Sequence, residues 1–406
     1  MMEASKFSST QSAGIATPET DLPAPRIRVL IAYQHLPHYR YDVFKALECN
    51  DRLIVEFAAD THSLDGSIPT IPFAMLARVR RLRNIRIGPF LWQVGLVSGV
   101  VRGGYDVVLY LGDASYLSTW VSAAVSRLLR IPVLFWTIGW HRPEHGIRRL
   151  FRLTFYHLAN HLLLYGSVAR ELGGELGYPL NRMTVIRNSS SEPIPGEHKS
   201  DRTVDEFIAL LPNLGHPVVT AVIRLNRVKR LDLIIDALSL LPPGDSKPSL
   251  LLVGEGPERE RLMTLAASLG VDLFAPGTAY NSEELMAVYA RTTVTVVPSA
   301  AGLTVLQSFK HGRPVITHDN VYEQMPEAEA ILPGITGDLY HYGDVRDLSR
   351  KIENWIAIQS LHSTDTARAC RRVVEEDWSA SSQAGVIGDQ IQKAFRRTTG
   401  NFRTSE

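Results

Sequence analysis

The sequence predicts an α/β protein built from two doubly wound parallel sheets, and three observations predict it. Short apolar runs alternate with helical patterns of roughly 10–15 residues, the arrangement of parallel strands covered by helices on both faces. A polar, proline-containing stretch interrupts the series at 189–205, and the series then starts again. A chain of 406 residues is also too long for one hydrophobic core.

The elements read in order as follows. In the first half, strands are expected at Arg28–Tyr33, Leu53–Ala58, Tyr105–Tyr110, Pro132–Trp136, His161–Tyr165 and Met183–Ile186. Helices fall between them at Tyr41–Leu47, Leu117–Leu129, Arg148–Ala159 and Val168–Leu176. In the second half, strands at Pro217–Ile223, Ser249–Val253, Val271–Phe274 and Thr293–Val297 alternate with helices at Leu231–Leu241, Pro257–Leu269 and Ser282–Ala290. The expected organisation is a flexible Ser/Thr/Ala/Pro-rich leader (1–25), a first domain (26–190), a second (191–376), a helix crossing back (377–395) and a frayed tail (396–406). Ligands of such sheets sit at the carboxyl ends of strands, so a cleft between the domains is the expected site.

Composition narrows the function. With 45% hydrophobic and 21% charged residues the chain is of the ordinary globular type, and a formal net charge of +1 does not announce a nucleic-acid binder. Two distant cysteines, Cys49 and Cys370, speak against a disulfide framework and fit a cytoplasmic, reducing compartment. No apolar run is long enough to span a membrane. No Asp-x-Asp pair and no Cys/His zinc spacing occur, so no metal ligand set is assigned.

The segment from Val297 to Ile316 carries the most information. An apolar strand runs into the small-residue turn Ser299-Ala300-Ala301-Gly302, and a helix then runs to Gly312. Free backbone N–H groups at Gly302, Leu303 and Thr304, beside the positive end of the helix dipole, suit a phosphate. A tight strand-to-helix connection without a ligand reads equally well. Arg224-Leu-Asn-Arg227-Val-Lys229-Arg230 follows the first strand of the second half. Its cations can neutralise a diphosphate, or form a solvated basic turn. Gly254-Glu-Gly256-Pro257 opens a helix, with close backbone approach expected at both glycines. Glu329 sits in a turn-rich segment, where it either holds sugar or ribose hydroxyls or is an exposed helix-end acid.

Together these motifs resemble the donor half of the GT-B glycosyltransferases, specifically glycosyltransferase family 4 in a bacterial polysaccharide-type branch. The likeness runs from about Arg28 to Ile391. Family members carry an Arg and, five residues on, a Lys that bind the donor diphosphate; Arg224 and Lys229 have that spacing. Their Gly-x-Gly-Pro turn corresponds to Gly254–Pro257. Their loop with two glutamates eight residues apart aligns with Ser299 and Gln307, so both carboxylates are replaced here. Gln307 can still meet ribose hydroxyls with a neutral amide, whereas Ser299 is short and uncharged.

The resemblance assigns the acceptor to the first domain. His38, Tyr39 and Arg40 match a turn after the first strand, and Asp113 ends another strand. Trp140 and His141 follow a glycine before which the related branch tends to carry a histidine; Ile138 stands there, so His141 substitutes or the role is absent. Residues 78–92 mix five arginines with apolar and aromatic side chains, which suits contact with an anionic membrane face or a solvated helix face. The implied activity is metal-independent, retaining transfer from a nucleotide-diphosphate sugar to a glycan or lipid-linked saccharide, in the cytoplasm or at the inner membrane face. No cofactor is implied beyond that donor. Arg224, Lys229 and His141 would be catalytic, and Gly254, Gly256, Ser299, Gly302, Leu303, Thr304, Gln307 and Glu329 would bind donor. A catalytically inactive nucleotide-sugar-binding pseudo-transferase, or a partner subunit, is the alternative.

Overall fold

The computed structural model describes residues 26–64, 68–191, 202–213, 216–242, 244 and 247–403. The expected leader and most of the expected linker lie outside these residues. The first half runs β1 (Ile27–His35), α1 (Tyr41–Glu48), β2 (Leu53–Asp60), β3 (Val79–Arg81), β4 (Arg83–Ile87), β5 (Phe90–Val94), α2 (Leu96–Gly103), β6 (Val107–Leu111), α3 (Leu117–Leu128), β7 (Val133–Thr137), α4 (Gly146–His157), β8 (His161–Leu164), α5 (Ser167–Glu175) and β9 (Met183–Val185). The second continues with α6 (Val204–Ile208), β10 (Val218–Val222), α7 (Asp232–Ser239), β11 (Ser249–Val253), α8 (Arg259–Ser268), β12 (Leu273–Gly277), α9 (Ser282–Arg291), β13 (Val294–Val296), α10 (Thr304–Lys310), β14 (Val315–His318), β15 (Gly337–Tyr340), α11 (Val345–Asp377, broken at His362) and α12 (Ala380–Arg403).

Among the described residues the first sheet has the order β3-β2-β1-β6-β7-β8-β9 and the second β12-β11-β10-β13-β14-β15, with every neighbouring pair parallel. In each sheet the order reverses beside the first strand. The switch points lie between β1 and β6 and between β10 and β13, where loops diverge and leave a crevice.

Burial explains the near-continuous apolar strands. β7 is buried along its whole length because helices cover both faces. Its Leu134 and Trp136 enter the core with α1, while Val133 and Phe135 enter the core under α3 and α4. α12 returns to the first sheet: Ile387 and Ile391, both fully buried, pack in the core that holds Val43 and Phe44. That helix extends to Arg403, so the tail expected from residue 396 is helical through residue 403.

The structure overturns one of the two readings of 78–92, the solvated helix face. The stretch is not one face of a helix. β3 joins the edge of the first sheet and β4 and β5 form an antiparallel hairpin. Arg80 is taken up by Glu56 at 2.8 Å, while Arg83, Arg86 and Ile87 stay exposed on the hairpin. Arginines at 78, 80, 81, 83 and 86 keep no period-2 spacing, which masked the strand pattern in the sequence.

Candidate functional site between the two sheets

The second switch point assembles the anion-facing residues. β10 ends at Val222, and Arg224 and Lys229 follow in the next loop. β13 ends one strand over and leads into Ser299–Leu303. The Thr304 hydroxyl donates to the Val222 carbonyl at 3.1 Å, which ties the start of α10 to the end of β10. Thr304 therefore anchors the turn through its side chain. The N–H groups of Gly302 and Leu303 have no partner among the described residues. A Cβ at Gly302 would meet nothing nearer than Met325 Cγ at 3.8 Å, so the turn faces open space.

Lys229 is half-buried and no carboxylate among the described residues faces it; burial alone pushes its pKa below the usual lysine value. An ammonium that has lost part of its hydration without gaining an anion is poised to take one. Arg224 is exposed on the same loop and likewise has no side-chain partner among the described residues. Ser299 Oγ is buried and unpaired, and Gln307 Oε1 accepts from the Tyr289 hydroxyl at 3.4 Å.

Gly254 and Gly256 make the expected close approach, and they make it to the chain's own backbone. A Cβ at either would come within 2.1 Å of the chain's own backbone, at Ile223 O and Leu225 O respectively. Gly254 also has φ 146°, which favours glycine. The close approach is thus to loop 223–225, held by Leu225 N donating to Glu255 O at 2.9 Å. The glycines seat the loop that carries Arg224.

Glu329 is redirected. Its carboxylate accepts from Ser167 N and Oγ, both at 2.8 Å, and from Val168 N at 3.1 Å. It caps α5 across the cleft, and Gly166 leaves the room, since a Cβ there would lie 2.5 Å from Glu329 Oε1. In this arrangement its oxygens are committed to the first half.

On the first-sheet side, Asp113 is exposed at the end of β6, with Oδ1 accepting from Ser115 N and Oγ. It lines a 420 Å³ hollow with Thr137, Ile138, Arg152 and Tyr165. His141 is exposed and borders two further hollows between the sheets, of 200 and 430 Å³. Partial burial, then Arg152 and Arg142, push its pKa below 6.5, so the ring is neutral at neutral pH. His38 leans toward Pro69 O at 3.4 Å and Tyr39 packs against its ring.

Two expected acceptor-side residues are interior. Arg40 is 4% exposed, stacked over Tyr165, Tyr39 and Trp136 and hydrogen-bonded to Asn188 Oδ1. Trp140 is 1% exposed and packs on Tyr156 and Tyr178. Each backs the cleft wall and offers no open surface to an acceptor.

Sequence reasoning missed the ties across the cleft. Asn188, in the crossing segment, bonds Arg40 on one side and Glu327 on the other. Glu327 is 2% exposed with Oε2 unpaired, and burial raises its pKa. Arg142 pairs with Glu323 at 2.6 Å, and Gln324 braces the Gly302 turn by accepting from Ala301 N at 2.8 Å. His318, 1% exposed with both ring nitrogens unpaired, lines the 200 Å³ hollow. Only the Pro-Glu-Ala-Glu run of 326–329 hinted at this in the sequence.

Two facing doubly wound sheets with a cleft at their switch points are the GT-B architecture. Residues 205–372 match the family described as "Glycosyl transferases group 1". Solved structures support the fold. HepE from Anabaena, in complex with UDP, superposes with a TM-score of 0.65 at 17% identity, over 91% of this chain and 100% of that one. A glycosyltransferase from Rickettsia africae gives 0.67 at 14%, over 91% and 99%. Sucrose-phosphate synthase from Thermosynechococcus elongatus gives 0.64 at 17%, over 92% and 100%. Among curated proteins, glycogen synthase of Edwardsiella ictaluri is 25% identical over 197 residues, 44% of this chain and 39% of that protein. An exopolysaccharide phosphotransferase of Streptomyces coelicolor is 30% identical over 141 residues, 33% of this chain and 14% of that protein. The chain thus spans well under half the length of these curated relatives.

Proposed function

We propose that the chain is a glycosyltransferase that moves a sugar from a nucleotide-diphosphate donor to a glycan or lipid-linked saccharide. The observation that carries this reading is the pair Arg224 and Lys229, without carboxylate partners, beside the open N–H groups of Gly302 and Leu303 at the second switch point. That cluster can bind a diphosphate and stabilise the charge it gains when the glycosidic bond breaks. The family match over 205–372 and the UDP and UDP-glucose named for the Anabaena relative favour the same reading.

Catalysis in this proposal is metal-independent, because the leaving charge is met by Arg224, Lys229 and backbone N–H groups, and it is retaining, as the family resemblance implies. The acceptor lies over Asp113, with the neutral His141 ring at the cleft edge able to accept a hydroxyl proton. The proposed setting is surface polysaccharide or glycoconjugate synthesis, in the cytoplasm or on the inner membrane face. Among the described residues no helix is long and apolar enough to cross a membrane. Contact through the hairpin of 78–92 would therefore be peripheral. No nucleic-acid partner is proposed.

One observation favours a second reading, a nucleotide-sugar binder without turnover: Ser299 and Gln307 stand where the resembling loop carries carboxylates. Incubation with a panel of nucleotide sugars and acceptor extracts separates the two. Release of nucleoside diphosphate with a glycosylated product supports the transferase; stabilisation by a donor that is never consumed supports the binder.

A further inference from the structure

A larger cavity lies at the opposite end of the first sheet. β7, β8 and β9 begin there, so it is one strand length from the loops that carry Asp113, His141 and Gly166. Its volume is about 720 Å³, within the range that takes a small ligand. One wall is the start of β7 and β8, and the other is α12.

Its charge is one-sided. Arg127 and Arg130 from the end of α3, Arg182 from before β9, and Lys393 and Arg397 from α12 all line it, and no carboxylate does. Arg127, Arg182, Lys393 and Arg397 form no ion pair among the described residues. Lys393 and Arg397 stand one helical turn apart, where like charges repel in the absence of a counterion. Arg182 is fixed in place by donating to the Ala159 and Asn160 carbonyls and lies 5.4 Å over the Tyr178 ring. Arg130 has φ 59°, at the left-handed position after a helix that glycine fills without cost.

The cavity also holds an unsatisfied polar group. His161 is 8% exposed; Nε2 meets the Thr184 hydroxyl at 2.8 Å and Nδ1 has no partner. Burial, followed by Arg397, Arg182 and Lys393, holds its pKa down to about 4, so the ring is neutral. With Nε2 accepting from Thr184, Nδ1 carries the proton and is left without an acceptor.

We propose that this cavity binds a small phosphate-bearing polyanion and that the anion fastens α12 to the first sheet. Guanidinium forks match phosphate oxygens in pairs, and a concave site with cations from three elements selects a compact, multiply charged group. The proposal does not depend on the reaction assigned to the cleft.

The test is calorimetric titration of inorganic pyrophosphate at fixed ionic strength into an Arg224→Ala/Lys229→Ala protein, which removes the two cations of the proposed diphosphate site. Pyrophosphate binds this protein, and adding Lys393→Ala/Arg397→Ala weakens binding at least tenfold. Both α12 residues are exposed, so circular dichroism shows an unchanged fold. Hydrogen exchange falls over 390–398 when pyrophosphate is present. Absence of binding to the cleft variant, or equal binding after the α12 substitutions, overturns the proposal. Sedimentation with phosphatidylcholine vesicles with and without phosphatidylglycerol identifies the source. Sedimentation that needs the anionic lipid, Lys393 and Arg397 assigns the phosphate to a lipid headgroup. Pyrophosphate binding without sedimentation assigns it to a soluble molecule.

Discussion

Replacing Lys229 by alanine separates a ligand-facing cation from a structural one. In the free protein Lys229 makes no ion pair among the described residues and is penalised by burial, so its removal costs the fold little. Toward a bound diphosphate the balance reverses. Two unit charges 4 Å apart attract by about 4 kcal/mol at an effective dielectric near 20. Losing one donor to a developing oxyanion costs about 2.7–4 kcal/mol in comparable sites. The two estimates agree, and kcat/KM for donor consumption should fall about 100- to 1000-fold. The assay is release of nucleoside diphosphate, read beside a thermal melt. The expected result is a large kinetic loss with Tm changed by no more than about 2 °C, under roughly 1 kcal/mol for a protein of this size. Undiminished kcat/KM, or a kinetic loss that merely follows a collapse in Tm, would refute the reasoning.

Three other perturbations follow from the same geometry. Gly254→Ala places a Cβ 2.1 Å from Ile223 O at φ 146°, so it should cost about 2 kcal/mol or more in a denaturant melt and displace the Arg224 loop; a neutral melt would contradict the packing. Glu329→Ala uncaps α5 across the cleft, which should cost about 1–2 kcal/mol and speed amide exchange at Ser167 and Val168; unchanged exchange would show that the tie does not form in solution. Glu327 has its pKa raised by burial, so the folded state binds a proton that the unfolded state gives up near pH 4.5. Stability therefore falls as pH rises from there through the folded value, and Glu327→Gln should flatten that slope in melts across pH. A slope unchanged by Glu327→Gln would assign it to another group.

The parts of the fold that follow chain-local rules were legible. Buried parallel strands such as Ser249–Val253 stand out as apolar runs, and Pro257 and Gly312 punctuate helices. The strands of 78–92 were not legible, because the arginines at 78, 80, 81, 83 and 86 break up any period-2 alternation. Arg224 and Lys229 could be placed because loop position follows from strand order. Arg40 and Glu329 could not be, because a charged side chain's partner is chosen by tertiary packing. Arg40 found Asn188, 148 residues away, and Glu329 found the start of α5, 162 residues away. The glycines at 254 and 256 were correctly read as sites of close approach, but only the coordinates show that loop 223–225 is what approaches.

The most direct test of the account is binding and turnover of a nucleotide-sugar panel in the presence of a chelator, by thermal shift and mass spectrometry. The account predicts stabilisation by at least one nucleotide-diphosphate sugar, release of its nucleoside diphosphate, and loss of both in Arg224→Ala/Lys229→Ala. Failure of every donor to stabilise the protein, or stabilisation that survives loss of both cations, would contradict it.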